Sequence, residues 1–132
     1  MIGVTLDTNI YVSALEFGGV GARLLGMARR GDFRLDVSDA ILEELVTVLR
    51  DDFRWDAYRL HFAREKIAGM ANRTTPAQTL DVIKEDPDDN RILECAVEAG
   101  SGYIVTADKD LLRLGVYGEI KIVTAADFLK RE

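Results

Sequence analysis

Residues 2–12 read IGVTLDTNIYV, and the point where the strand-formers give out decides how the rest of the chain is organised. Ile2, Val4 and Leu6 alternate as a short strand requires, and Asp7 follows where the run stops. Beyond it Ile10, Val12, Ala14 and Leu15 take up helical spacing, interrupted by glycines at 18, 19 and 21; Ala22 to Arg30 then predicts a second helix closed by Gly31. A carboxylate where a first strand ends is either a helix cap or one part of a site assembled from several strands. Acids elsewhere in the chain distinguish the two.

Working outward, Phe33, Leu35 and Val37 predict a second strand, and Ser38 is suited to N-cap a helix from Asp39 to about Arg50. Residues 55–71 predict another helix with its basic side chains outward, whereas Leu80, Val82 and Ile83 suit either a short strand or a loop. Asp86 is expected to cap a helix that begins at Pro87, where proline fits best, and ends at Gly100. GYIVT predicts a strand, DLLRL a short helix, EIKIV a strand, and Thr124 with Asp127 opens a last helix. Strand and helix alternate without hairpin signals. This predicts an α/β fold, a three-layer sandwich around a central parallel sheet, in one domain spanning residues 1–132.

Composition narrows the class. No stretch approaches the roughly 18 apolar residues of a membrane span, and MIGVTLD lacks the basic-then-apolar pattern of a secretory leader. The single Cys95 rules out an internal disulfide and fits a reducing cytoplasm; on its helix it reads as a small inert hydrophobe. His61 is the only histidine, and a surface or packing role suits it better than metal ligation. The net charge of -6 argues against a simple basic nucleic-acid module. Asp7, Glu44, Asp89, Asp108 and Asp110 would supply five of those six charges, so the remaining surface is close to neutral.

In a parallel sheet, ligands sit beyond the carboxyl ends of the strands. Asp7 follows the first strand and Asp108 lies two residues past Thr106, which ends GYIVT, so both emerge at one edge. In SDAILEELVTVL the apolar stripe is Ile41, Leu42, Leu45, Val48 and Leu49; Glu44 borders it and Glu43 lies opposite. In DPDDNRILECAVEAG the buried face is expected to be Ile92, Leu93, Ala96 and Val97, with Asp89 in its middle and Asp88 and Asn90 off it. First-turn acids also complement a helix dipole, which accounts for Asp86 and Asp88. Two carboxylates about 4 Å apart repel by roughly 4 kcal/mol at an effective dielectric near 20, so convergence of several calls for a cation. With oxygen ligands and no His or Cys set, Mg²⁺ or Mn²⁺ is the natural choice.

LDTNIYVSAL, ILEELVTVL, DPDDNRILECAVEAG and YIVTADKDLL, in that order and spacing, resemble a PIN domain of the kind found in VapC-like toxins of toxin-antitoxin pairs. The resemblance covers essentially the whole chain. It implies a metal-dependent ribonuclease with Asp7, Glu44, Asp89 and Asp108 as acidic metal-binding positions and Asp110 as an additional, less constant acid. Asn9 and Thr106 look like polar supports of these ligands. It further implies an RNA substrate, a homodimer and a cognate antitoxin. Arg23, Arg29, Arg30, Arg50, Arg54, Arg59 and Arg64 on the helices are candidates to grip phosphates, each set against the plainer reading of a solvated helix face.

Three rivals are weighed against this. A haloacid-dehalogenase-type phosphatase would want aspartate where Asn9 stands, and a receiver domain would want an acidic pair near the first strand and a late Lys-Pro. The third is a non-catalytic scaffold or RNA-binding module that kept the fold and lost activity.

Overall fold

The computed structural model describes residues 1–131. β1 (Gly3–Leu6) is buried along its whole length and β2 (Arg34–Ser38) at every residue but its first. A strand with no solvent face must be covered on both sides, so helices flank the sheet on either face and the layered α/β prediction holds. The remaining strands are β3 (Asn72–Thr74), β4 (Tyr103–Val105), β5 (Val116–Tyr117) and β6 (Ile120–Val123), in the order β3-β2-β1-β4-β6-β5. All pairings are parallel except β5 with β6.

The central strands are parallel as predicted, and the exception is a hairpin that the sequence did not signal. VYGEIKIV contains a two-residue hairpin in which Gly118 takes φ 60°, a value open to glycine and costly for other residues. β3 was likewise not foreseen: Asn72, Arg73 and Thr74 carry no apolar alternation, and they form an exposed edge strand.

The helices are α1 (Thr8–Phe17), α2 (Gly19–Arg30), α3 (Asp39–Phe53), α4 (Ala57–Met70), α5 (Asp89–Ala99), α6 (Lys109–Leu114) and α7 (Ala125–Lys130). The break between α1 and α2 falls at Gly18, with φ 80°. Gly21 lies inside α2 rather than before it. A Cβ there would come within 2.9 Å of the Ile10 carbonyl oxygen, so the close crossing of α1 and α2 needs glycine. Ser38 caps α3 as expected, its Oγ accepting from the Ile41 amide at 3.3 Å. α5 begins two residues later than the sequence suggested: Pro87 sits in a turn, Asp88 is the cap residue, and its side chain makes no capping hydrogen bond.

The apolar core gathers Val4, Leu6, Leu24, Leu35, Leu42, Leu45, Ile92, Ile104 and Phe128, among others. Between the sheet and α5 the interior turns polar. Asp36 is wholly buried and accepts from Arg34 Nε at 2.6 Å, Arg34 Nη2 at 2.9 Å, Asn72 Nδ2 at 3.0 Å and Ser101 Oγ at 2.7 Å. These bonds tie β2 to β3 and to the turn between α5 and β4. Four donors satisfy the carboxylate, which is what permits a charge at zero exposure. Cys95 is buried as expected, and burial pushes its thiol up to about 12. His61 is exposed on α4.

Candidate metal centre

The chain leaves β1 for β2 on one side and later returns to β4 on the other, which makes the carboxyl ends of β1 and β4 the topological switch point of the sheet. Leu6 pairs with Val105, so the next step of the ladder brings Asp7 opposite Thr106. The Asp7 amide donates to the Val105 carbonyl at 2.9 Å, and Thr106 Oγ1 donates to Asp7 Oδ2 at 2.6 Å. The same hydroxyl accepts from the Asp108 amide at 2.9 Å. One threonine therefore fixes both acids, and it can do so because its hydroxyl donates and accepts at once.

Asp108 caps α6: its Oδ1 accepts from the Asp110 amide at 2.7 Å and the Leu111 amide at 3.3 Å. Asp89 opens α5. One oxygen each from Asp86, Asp89 and Asp108 lie within 4.8 Å of one another. Asp89 is only 7% exposed, and its Oδ2 is buried without a hydrogen-bond partner. Burial, followed by the charges of Asp108, Asp86 and Asp7 and by a hydrogen bond that the protonated group shares with the Asp108 side chain, pushes the Asp89 carboxyl up to about 8.

Asp7 is also raised. Burial is the main cause, the Thr106 hydrogen bond pulls it back, and Asp108 pushes it up again. The amides of Thr8 and Asn9 draw it down slightly, although neither completes a capping bond to the side chain. Glu44, half-buried on α3, is raised by burial and by Asp7, Asp88 and Asp86. It lines a cleft between α3 and α5 with Glu43, Asp88 and Arg91. Six acids from four parts of the chain are thus linked through their charges: Asp7, Glu44, Asp86, Asp88, Asp89 and Asp108.

The other residues singled out from the sequence lie as follows. Asp110 is outside the three-carboxylate group and faces Arg113 Nη1 at 3.3 Å. Asn9 is exposed in the first turn of α1, while Thr106 is fully buried. Arg23 and Arg29 are exposed on α2. Arg30 pairs with Asp32 and Arg50 with Asp51, and the Arg59 guanidinium stacks 3.8 Å from the Trp55 ring centre. On α5, Val97 is exposed rather than buried, and Asn90, expected to fall off the buried face, is 1% exposed. The helix face is turned toward Glu94 and Cys95 because the segment before α5 packs along it and covers Asn90.

Asp86 is the site residue missed from the sequence. The sequence predicts it as the cap of a helix beginning at Pro87. The available signal is its spacing of three from Asp89: the Asp89 amide donates to the Asp86 carbonyl at 3.0 Å, closing a turn that brings the two residues together.

A set of oxygen donors this close, with one buried oxygen unpaired, suits a small hard cation. The Arg113 guanidinium does not neutralise the group, since it goes to Asp110 and Glu85. Mg²⁺ and Mn²⁺ fit the donor chemistry; nothing here offers the soft ligands of other transition metals.

Fold and site together define an α/β protein with a carboxylate cluster at the switch point of its sheet. The family model for the PIN domain matches residues 3–110, and the chain belongs to that family. Two solved structures share the fold. VapBC2 from Rickettsia felis, bound to a DNA fragment from their promoter, superposes with a TM-score of 0.64 at 14% identity, over 92% of this chain and 97% of that one. VapBC-1 from nontypeable Haemophilus influenzae gives 0.67 at 16% identity, over 95% and 99%. Comparison with curated proteins returns no significant match.

Proposed function

We propose that this protein is a divalent-cation-dependent ribonuclease that hydrolyses RNA phosphodiesters and serves as the toxin of a toxin-antitoxin pair. Membership of the PIN domain family supports nuclease activity. The observation that carries the finer reading is the buried, unpaired Asp89 Oδ2 beside Asp86 and Asp108. Asp89 and Asp108 would hold the cation, with Asp7 and Glu44 completing the ring of acids directly or through water. When bound, Mg²⁺ or Mn²⁺ supplies neutralisation of phosphate charge and a lowered pKa for attacking water.

The chain's own contribution is positional. Thr106 holds Asp7 and the Asp108 backbone in fixed relation, and the α6 cap fixes the Asp108 rotamer. The acids hold their places on strand ends and helix starts, so little reorganisation is needed when charge develops on the phosphate. Water attack in line with the departing 3′ oxygen would leave products bearing a 5′ phosphate. Arg23 and Arg29 have no ion pair among the described residues and would be candidates for phosphate contacts; Arg50 would first have to leave Asp51.

Both structures superposed above are of VapBC, which supports an antitoxin partner here. The homodimer is inferred from the resemblance of the sequence to VapC-like PIN domains alone. No helix among the described residues is long and apolar enough to cross a membrane, in keeping with action in the cytoplasm.

The test is incubation of purified protein with total RNA and Mn²⁺, with 5′ ends mapped. Cleavage that disappears in Asp7→Asn supports the proposal. Equal cleavage by parent and variant points to a contaminant, and none by the parent favours the non-catalytic scaffold.

A further inference from the structure

Residues 75–88 join β3 to α5 without forming a strand or helix, so their backbone amides need partners from elsewhere. The partners are side chains of α5 spaced four apart. Glu98 Oε1 accepts from the Ala77 amide at 2.8 Å, and Glu94 Oε2 from the Leu80 amide at 2.8 Å. Asn90 Oδ1 accepts from both Val82 at 2.9 Å and Ile83 at 2.8 Å. Residues at i, i+4 and i+8 share one helix face, so the three form a ladder that straps the segment along α5.

Asn90 does more than the two glutamates. Its Nδ2 donates to the Ile83 carbonyl at 2.9 Å and to the Pro87 carbonyl at 3.0 Å. Two acceptor sites and two hydrogens are all a primary amide has, and every one is used. The two carbonyls bracket residues 84–86, so one buried side chain clamps the strap on both sides of Asp86.

The acids of the strap differ in what they meet. Asp81 pairs with Lys84 and Glu85 with Arg113. Asp86 has no ion pair among the described residues; its carboxylate lies with those of Asp89 and Asp108, within 4.8 Å. Oxygens sharing an octahedral Mg²⁺ are about 3 Å apart when adjacent and about 4.2 Å when opposite, so the three would draw together around an ion. The buried, unpartnered Asp89 Oδ2 marks where it would sit.

We propose that Asp86 is a ligand to the cation and that Asn90 is its positioning residue, acting through the strap. This rests on the cation-dependent reading above and adds a ligand from a loop to those supplied by strand ends and helices. Replacing Asn90 frees Asp86 to swing into solvent while leaving Asp89 and Asp108 on their own elements.

The test is a double-mutant cycle on Mn²⁺ affinity, measured on the full chain by electron paramagnetic resonance of free Mn²⁺, with no substrate present. Asp86→Asn is expected to weaken binding at least tenfold, and Asn90→Ala by about as much. Combined with Asp86→Asn, the alanine should add little, because its effect runs through the lost ligand. A purely structural role would weaken binding equally in both backgrounds. Parent-like affinity in Asp86→Asn overturns the ligand assignment while leaving the cation-dependent reading intact. That comparison stands even where Asn90→Ala does not fold. An undiminished cost of Asn90→Ala in the Asp86→Asn background overturns the positioning role. No Mn²⁺ binding by the parent defeats both readings together.

Discussion

Replacing Asp89 with Asn should stabilise the cation-free protein at alkaline pH and abolish most of its response to cation. The folded carboxyl titrates near 8, against 3.8 for the ordinary group. Folded protein thus binds more protons than unfolded protein between those values, and stability falls as pH rises through the window. About four units at 1.36 kcal/mol each set a ceiling of about 5–6 kcal/mol. Asp86 and Asp108 are half-exposed, so solvent screening reduces this to roughly 2–3 kcal/mol. For a chain of this size that is a melting-temperature gap of roughly 6–12 °C. Asn keeps the shape and removes the charge. In EDTA at pH 8.5 the variant should melt above the parent by about that gap, and the two should converge near pH 4. Saturating Mn²⁺ should reverse the order by stabilising the parent alone. Calorimetry at several pH values, with and without Mn²⁺, reads all of this. A variant less stable than the parent in EDTA at pH 8.5, or a gap independent of pH, would refute the reasoning.

Thr106→Val should lower cleavage by roughly 10- to 100-fold, with Thr106→Ser restoring most of it, since the hydroxyl alone ties Asp7 to the Asp108 backbone; steady-state kinetics on one RNA would show it. Asp36→Asn should cost about 2–4 kcal/mol in urea unfolding by leaving Arg34 without its counter-charge, while Mn²⁺ affinity stays close to the parent's. Mn²⁺ binding at pH 7 should release about one proton, because the Asp89 carboxyl, titrating near 8, must ionise to coordinate. Binding enthalpies in buffers of different ionisation enthalpy would measure that proton.

The parts of this molecule that speak in periodic apolar residues could be read directly. Val4, Leu6, Leu35 and Val37 are strand residues at zero or near-zero exposure, as their alternation predicts, and the consecutive Ile104 and Val105 are both buried because helices cover both faces of the sheet. Asp7 and Asp108 were legible because a strand end is a fixed place in a parallel sheet. β3 was not, since Asn72–Thr74 is held by backbone pairing to β2 and by the Asn72 contact with buried Asp36, with no apolar pattern to betray it. Asp36 carries no such signal in the sequence. A lone acid inside RLDVS becomes meaningful only when Arg34, Asn72 and Ser101 converge on it from distant positions. Asp86 and Asn90 were misplaced for a related reason. The apolar pattern of α5 alone does not fix its facing, because the strap over it decides which of its sides is buried.

The central claim is that carboxylates from separate segments gather around one divalent ion at the end of β1 and β4. Anomalous diffraction from crystals grown with Mn²⁺ tests it most directly. The expected result is a manganese peak about 2.1–2.3 Å from carboxylate oxygens of Asp86, Asp89 and Asp108, with Asp7 at its flank. A peak elsewhere, or these acids facing solvent with no peak between them, would contradict it.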